Sequence, residues 1–195
     1  MVKVDSKIIQ ILKNGGVGIL PTDTLYGLVG LALNKKAVER IYEVKKRSEK
    51  KPFIILISKV KDLKLFGVEL GQKEKKIIKE DWPGPVSIIL ECPTLLTEMS
   101  YLRPLNSTLA FRMPKPKWLR KLLKKTGPLV APTANPEGAN PAENIAQAKA
   151  YFKDSKDSVD FYVDGGELKG QPSTLIALNE QGLEVRRQGS VQIKK

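Results

Sequence analysis

The chain has 195 residues, of which 41% are hydrophobic and 28% are charged, a composition typical of a soluble globular domain. It contains no histidine and a single cysteine, Cys92. This excludes Ser-His-Asp and Cys-His catalysis, histidine-ligated metals and an intrachain disulfide. Lys and Arg outnumber Asp and Glu by 34 to 21, and the net charge of +13 favours an anionic partner, although many lysines can equally be solvated.

The first part of the chain predicts two strands framed by two helices. Asp5 or Ser6 caps the first helix, and the apolar residues 17–20 predict the first strand. A second strand is predicted at 27–33, and Asn34 caps the second helix. That helix runs into a strongly basic segment.

Strand and helix patterns alternate along the rest of the chain. Further strands are predicted at 53–57 and 108–112, and in VSIILEC, PLVAP, FYVDGG, STLIAL and LEVRRQG. Further helices are predicted at 59–66 and 72–80, and in PKWLRKLLKKTG and AENIAQAKAYF. This alternation predicts one α/β domain with a mixed sheet over residues 1–195. No apolar run approaches the ~20 residues that span a bilayer, and the N-terminus lacks a signal-peptide core, so we expect a cytoplasmic protein without a membrane partner.

Polar residues follow two of the predicted strands in similar patterns, LPTDT at 20–24 and APTAN at 131–135. One interpretation is an ordinary turn in each case, because Pro, Asp and Asn are common turn residues. The other is a ligand site, since ligands of α/β sheets bind where strands run into loops at one edge. Both strand ends then line one cleft beside the basic segment KKRSEKK at 45–51, which suits a polyanionic small ligand.

The familiar phosphate-binding motifs are absent. The segment GGELKGQPST has Gly165 and Gly170 at P-loop spacing, but Gln171 and Pro172 stand where Lys and Ser or Thr are needed. GGVG precedes a strand, whereas a dinucleotide-binding fingerprint follows one. The sequence therefore argues against P-loop NTPases and Rossmann dehydrogenases.

Seven short motifs occur in an order that resembles the YrdC/TsaC family of L-threonylcarbamoyladenylate synthases. They are PTDTLYGL, VKKRSEKKPF, WPGPVS, LAFRMP, APTAN, PSTLIAL and VRRQG, and they span the chain from about Gly15 to Gly189. The resemblance implies an α/β fold in which a twisted mixed sheet and flanking helices surround a large basic cavity.

The resemblance also implies a nucleotidyl-transfer activity. L-Threonine, bicarbonate and ATP are joined into threonylcarbamoyl-AMP with release of pyrophosphate, and a transferase machinery then passes the threonylcarbamoyl group to tRNA beside the anticodon. Mg²⁺ is expected with ATP, and no tightly bound protein metal is expected. The lack of histidine is compatible with this chemistry, because attack by a carbamate on a phosphate depends on positioning and charge neutralisation.

Three groups of site residues follow from the resemblance. The implied catalytic residues are Lys45, Arg47, Thr133 and Asn135. The implied ATP-binding residues are Arg47, Lys51, Thr108, Thr133, Asn140 and Arg187, where Arg186 is the alternative to Arg187. The implied L-threonine-binding residues are Thr24, Arg112, Ala131 and Ser173. For the basic segment the alternative is a solvated helix end, and for Arg112 it is a structural salt bridge.

The chain departs from the family pattern at several positions, including Asn140, which stands where a serine is usual, and NPEG, which replaces Asn-x-Ser-Gly. Ser48 replaces a proline, Lys51 an asparagine and Thr133 a serine, while Leu56 stands where long members place a histidine in the threonine site. These departures concern substrate contacts rather than the fold.

Two other functions compete with the synthase. A basic concavity can hold tRNA or double-stranded RNA without catalysis, but RNA-binding surfaces usually carry aromatic platforms and only 6% of this chain is aromatic. Within KWLRKLLKK, the residues Trp118, Leu119, Leu122 and Leu123 form a stripe that we expect to face the core. The third candidate is a non-catalytic carbamoyl-binding domain of the same fold.

Overall fold

The computed structural model describes residues 5–48, 51–93, 97–102, 106–153, 159–179 and 182–193. Its α-helices are α1 (Ser6–Lys13), α2 (Lys35–Lys45), α3 (Gln72–Asp81), α4 (Lys117–Thr126) and α5 (Ile145–Phe152). Its strands are β1 (Gly18–Pro21), β2 (Tyr26–Leu31), β3 (Ile54–Leu56), β4 (Val86–Glu91), β5 (Thr108–Arg112), β6 (Leu129–Val130), β7 (Phe161–Tyr162), β8 (Thr174–Asn179) and β9 (Gly182–Arg187). Two 3₁₀ helices cover Val60–Phe66 and Thr97–Leu102.

The strands of the described residues form one mixed sheet in the order β7-β1-β2-β6-β3-β5-β4-β8-β9. Parallel pairs (β1 with β7, β3 with β5, β4 with β8) are interspersed with antiparallel ones. The predicted α/β fold with a twisted mixed sheet is confirmed. No helix within the described ranges is long and apolar enough to cross a membrane.

Local sequence signals fix the helix ends. The Asp5 carboxylate accepts the Lys7 N–H at 2.8 Å, and the Asn34 side chain accepts the Ala37 N–H at 3.0 Å, so both predicted N-caps are present. Gly127, at φ +99°, ends α4 in a conformation that favours glycine. The helix predicted at 59–66 is a 3₁₀ helix rather than an α-helix.

Apolar side chains pack on both faces of the sheet. Ile19 and Ile55 belong to the larger core cluster, whereas their chain neighbours Leu20 and Leu56 belong to a smaller one. Because successive strand residues point to opposite faces, the two clusters lie on opposite sides of the sheet. Helices α2, α3 and α5 contribute to the larger cluster, and α1 and α4 to the smaller one.

The smaller cluster covers only part of its sheet face. Its buried members come from α1, α4 and the strands β1, β2, β3, β6 and β7. Among the described residues, β4, β5, β8 and β9 add no buried side chain to it. On that face, the smaller cluster therefore leaves the end of the sheet formed by β5, β4, β8 and β9 uncovered.

Candidate active site

A cavity of about 410 Å³ occupies the face that the smaller cluster leaves free. Its floor is formed by β5 and by single residues of neighbouring strands. Its sides are the two polar strand ends and the segment after α2. The predicted site residues that line it are Thr24, Arg47, Lys51, Thr108, Arg112, Ala131, Thr133, Ser173 and Arg187. The sequence prediction that both polar strand ends meet the basic segment in one cleft is confirmed.

The cavity is strongly basic. Four cationic side chains line it: Arg47, Lys51, Arg112 and Arg187. None of the described lining residues is a carboxylate. Burial lowers the pKa of the Arg187 guanidinium, and the positive charges of Arg112 and Arg47 lower it further, so the three arginines act on one another. An anionic ligand relieves this repulsion.

Arg112 ends β5 and is held by the polar turn that follows β1. Its Nη1 donates to Thr24 Oγ1 at 3.2 Å and its Nη2 to Thr22 Oγ1 at 3.4 Å. Burial lowers the pKa of Arg112, and Asp23 opposes that shift. The turn itself is closed by Thr22, whose hydroxyl donates to the Leu25 carbonyl at 2.7 Å. The interruption between β1 and β2 is thus both a turn and one end of the cavity.

Arg187, rather than Arg186, faces the cavity. Arg187 Nη2 donates to the Ser173 carbonyl at 2.9 Å and to Ser173 Oγ at 3.3 Å, and Ser173 Oγ lies 2.8 Å from Ser87 Oγ. Arg186 has an exposed side chain and pairs with Glu184 at 3.1 Å. The alternation of β9 separates the two arginines, which supports the placement of Arg187.

Lys45 and Asn135 lie behind the cavity wall and not in it. The Lys45 ammonium donates to the carbonyl of Thr133 at 2.5 Å, to the carbonyl of Asn135 and to Asn135 Oδ1 at 3.1 Å. Lys45 is 1% exposed. Its pKa is lowered to about 7, mainly by burial and also by the positive charge of Arg47, while Glu137 opposes the shift. Three oxygen acceptors favour the ammonium.

Lys45 does not line the cavity in this structure, so its predicted contact with phosphate stays a prediction. All three of its N–H donors have protein acceptors, so Lys45 joins α2 to the strand end after β6. Asn135 also has protein partners: its Oδ1 accepts the Thr133 hydroxyl at 2.5 Å and its Nδ2 donates to the Ala139 carbonyl at 2.6 Å. These two residues shape the wall that presents Thr133.

Glu137 joins the two loops at the rim of the cavity, a link that the sequence did not predict. Its carboxylate accepts the Ser48 N–H at 2.7 Å and pairs with the Lys51 ammonium at 2.5 Å. The bond from Lys51 is the main cause that lowers the pKa of Glu137. Arg47, in the same segment, lies 5.5 Å from the centre of the Phe53 ring.

Two further positions from the sequence analysis also lie outside the cavity. Asn140 is exposed and is not a lining residue, so its predicted contact with ATP stays a prediction. Leu56 is fully buried in the smaller core cluster rather than in the cavity. Cys92 is buried as expected, and burial raises the pKa of its thiol to about 11.

The mixed sheet and the basic cavity on its free face define an α/β protein with a cavity suited to an anionic small ligand. A family model named Sua5/YciO/YrdC, described as telomere recombination, matches residues 10–189. The chain belongs to this family.

Three relatives place the chain within the family. A threonylcarbamoyl-AMP synthase of Pyrococcus abyssi is 31% identical to this chain. The match covers 94% of this chain and 53% of the Pyrococcus protein. A threonylcarbamoyl-AMP synthase of Marinobacter nauticus is 32% identical over 86% of this chain and 87% of its own length. The crystal structure of P. abyssi Sua5 complexed with L-threonine matches with a TM-score of 0.83 at 30% identity, over 94% of this chain and 53% of that one. The chain thus spans about half the length of the Pyrococcus relative.

Proposed function

We propose that this protein is a nucleotidyltransferase that makes threonylcarbamoyl-AMP and pyrophosphate from L-threonine, bicarbonate and ATP. The names of the relatives support this activity. The observation that carries the proposal is one cavity that brings together two kinds of side chain. Arg112, Thr24 and Ser173 offer a guanidinium and hydroxyls for a small hydroxy amino acid, and Arg47, Lys51 and Arg187 offer positive charge for a triphosphate.

The reaction proceeds in two steps. The threonine amine adds to bicarbonate, which forms an N–C bond and releases water to give a carbamate. A carbamate oxygen then attacks the α-phosphorus of ATP, the bond from that phosphorus to the bridging oxygen breaks, and pyrophosphate leaves. Both partners of the second step are anions. The cations of the cavity hold them together and neutralise the charge on the phosphates.

Mg²⁺ enters this scheme as part of the ATP substrate. Divalent magnesium prefers oxygen ligands and is commonly held by substrate phosphates with one or two carboxylates. The described lining residues supply hydroxyls but no carboxylate, and the described part of the chain has no cluster of three metal-binding side chains. We therefore assign Mg²⁺ to the triphosphate rather than to a protein site.

The product is a mixed anhydride that a second activity must consume. We propose that a threonylcarbamoyl-transferase machinery passes it to tRNA in the cytoplasm. Direct RNA binding is the competing function. Among the described residues the exposed large aromatic side chain is Tyr151, and Phe53 stacks on Tyr42 at 4.0 Å, so a broad stacking platform for bases is not available there.

The test is threonine-dependent pyrophosphate release in the presence of ATP, Mg²⁺ and bicarbonate, with mass spectrometry of the product. We expect Arg47→Gln to abolish most of the release. Lys46→Gln is the matched control, because Lys46 carries the same charge in the same segment but is exposed and does not line the cavity. Release that ignores threonine, or no release, contradicts the proposal. Tight binding of duplex RNA with a steep salt dependence and no turnover favours the competing function.

A further inference from the structure

We infer that Asp23 is a positioning residue that fixes the Arg112 guanidinium for the carboxylate of the amino-acid substrate. This inference rests on the proposed function. Asp23 lies in the turn after β1 and its side chain is 7% exposed. It is absent from the lining of the cavity, whereas Arg112 lines it. Any effect of Asp23 on the substrate must therefore pass through Arg112.

The Asp23 carboxylate connects two elements behind the cavity. Its Oδ1 lies 3.4 Å from Arg112 Nη2, and its Oδ2 accepts the backbone N–H of Lys115 at 3.0 Å. Lys115 follows β5, the strand that Arg112 ends. Because one oxygen is anchored by a backbone N–H, the other has little freedom to move. Asp23 thus holds the guanidinium against the point where β5 leaves the sheet.

The guanidinium is held but not saturated. Its contacts with the hydroxyls of Thr24 and Thr22 are long, at 3.2 and 3.4 Å. Among the described residues, the buried atoms without a hydrogen-bond partner are Arg112 Nε and Asp23 Oδ1. A buried donor without an acceptor is unfavourable. The Arg112 guanidinium therefore keeps a donor without an acceptor among the described residues, and a guanidinium fork that lines a cavity suits a bidentate carboxylate.

The negative charge of Asp23 explains how the guanidinium can be buried before substrate arrives. The Arg112 side chain is 5% exposed, and a buried charge without a counter-charge is strongly unfavourable. Asp23 compensates that charge from the side away from the cavity. The face toward the cavity stays available. Without Asp23, we expect the guanidinium to turn toward other acceptors and lose its alignment.

The test is the isosteric variant Asp23→Asn, which keeps an oxygen for the Lys115 N–H and removes the charge. We expect the KM for L-threonine to rise about tenfold or more, the equivalent of losing one charge-assisted hydrogen bond. The KM for ATP should change less than about twofold, since the effect passes through Arg112 alone. Calorimetric titration with L-threonine should show the same loss of affinity without turnover.

The matched control is Asp160→Asn. Asp160 also accepts a backbone N–H, that of Val17 at 2.7 Å, and also pairs with an arginine, Arg40, at 2.8 Å. Neither Asp160 nor Arg40 lines the cavity. We expect this control to lower thermal stability and to leave the KM for L-threonine unchanged.

Each outcome bears on one proposal. If Asp23→Asn behaves like Asp160→Asn, with lower stability and an unchanged KM for L-threonine, Asp23 is only structural and the inference is wrong. If Asp23→Asn does not fold, Asp23→Glu keeps the charge and should raise the KM for L-threonine while sparing that for ATP; equal effects on both substrates overturn the inference. The proposed function fails separately, when the unmodified protein shows no threonine-dependent release.

Discussion

The two polar strand ends of this protein each hold a buried cation, but they do so in different ways. After β1, Arg112 is surrounded by side-chain oxygens of Thr22, Asp23 and Thr24. After β6, Lys45 is held by two backbone carbonyls and one amide oxygen. The first cation lines the cavity and the second lies behind it.

The difference lies in how many donors each cation has left. An ammonium has three N–H donors, and Lys45 uses all of them on the protein. A guanidinium has five, and Arg112 keeps at least its Nε–H without a partner among the described residues. A cation whose N–H donors all have protein acceptors stabilises the fold, whereas a cation with a spare donor can bind a ligand. The predictions below test this distinction.

The largest effect is expected for Lys45→Met. The variant removes one donor from three oxygens of Thr133 and Asn135. Asn135 Oδ1 keeps the Thr133 hydroxyl and the Thr133 carbonyl keeps the Asn135 N–H, so among the described residues the Asn135 carbonyl is the group left unsatisfied, at a cost of about 1–3 kcal/mol. We expect the free energy of unfolding to fall by about 1–3 kcal/mol in denaturant titration, with loss of pyrophosphate release. Lys35→Met, at an exposed position of the same helix, is the control. Equal stability of the two variants would show that Lys45 is not a structural link.

A second effect, on substrate affinity rather than on stability, is expected for Arg112→Lys. Three donors then face Thr22, Asp23 and Thr24, so the new cation resembles the saturated Lys45. The KM for L-threonine should rise about 10-fold to 100-fold, since a charge-assisted hydrogen bond contributes about 1.5–3 kcal/mol. Kinetics at saturating ATP measure this effect. An unchanged KM contradicts the idea that the spare Nε–H binds substrate.

Stability should depend on pH through Lys45. Its pKa is lowered from 10.5 to about 7 in the folded protein, so between these values the unfolded chain binds more protons. The contribution of Lys45 to stability therefore rises with pH across this window, by at most about 1.4 kcal/mol per pH unit. Denaturant titrations of the unmodified protein and Lys45→Met, compared at several pH values, measure this difference. If the difference in the free energy of unfolding between the two proteins stays constant or falls with pH, the pKa of Lys45 is not lowered in the folded protein.

The smallest effect is expected for Glu137→Gln at the cavity rim. Its partner Lys51 has an exposed side chain, and exposed ion pairs contribute little. Glutamine still offers an oxygen to the Ser48 N–H. We expect the thermal midpoint to stay the same and the KM for ATP to change less than about twofold at physiological salt. A large rise in that KM would show that Glu137 positions Lys51 for phosphate.

Much of this arrangement was readable from the sequence. Arg112 was predicted from the resemblance of its motif to the family pattern, and its place at the end of a buried strand, where a charge needs a counter-charge, agrees with that prediction. Lys45 also follows the helical spacing of the buried residues Val38, Ile41 and Tyr42, which indicates that it continues their buried face. This spacing did not enter the prediction for Lys45, because the neighbouring basic residues favoured an exposed segment. The link from Glu137 to Lys51 joins loops 86 residues apart, and local sequence patterns do not encode such distances.

The lining of the cavity depends on the register of strand β5. Thr108, Ala110 and Arg112 line the cavity, while the side chains of Leu109 and Phe111 belong to the larger core. A strand that loses or gains one residue exchanges its two faces. A single-residue deletion within β5 would therefore turn the guanidinium of Arg112 toward the apolar core and the phenyl ring of Phe111 toward the cavity. We expect natural length variation in this family to spare β5 and to accumulate in loops.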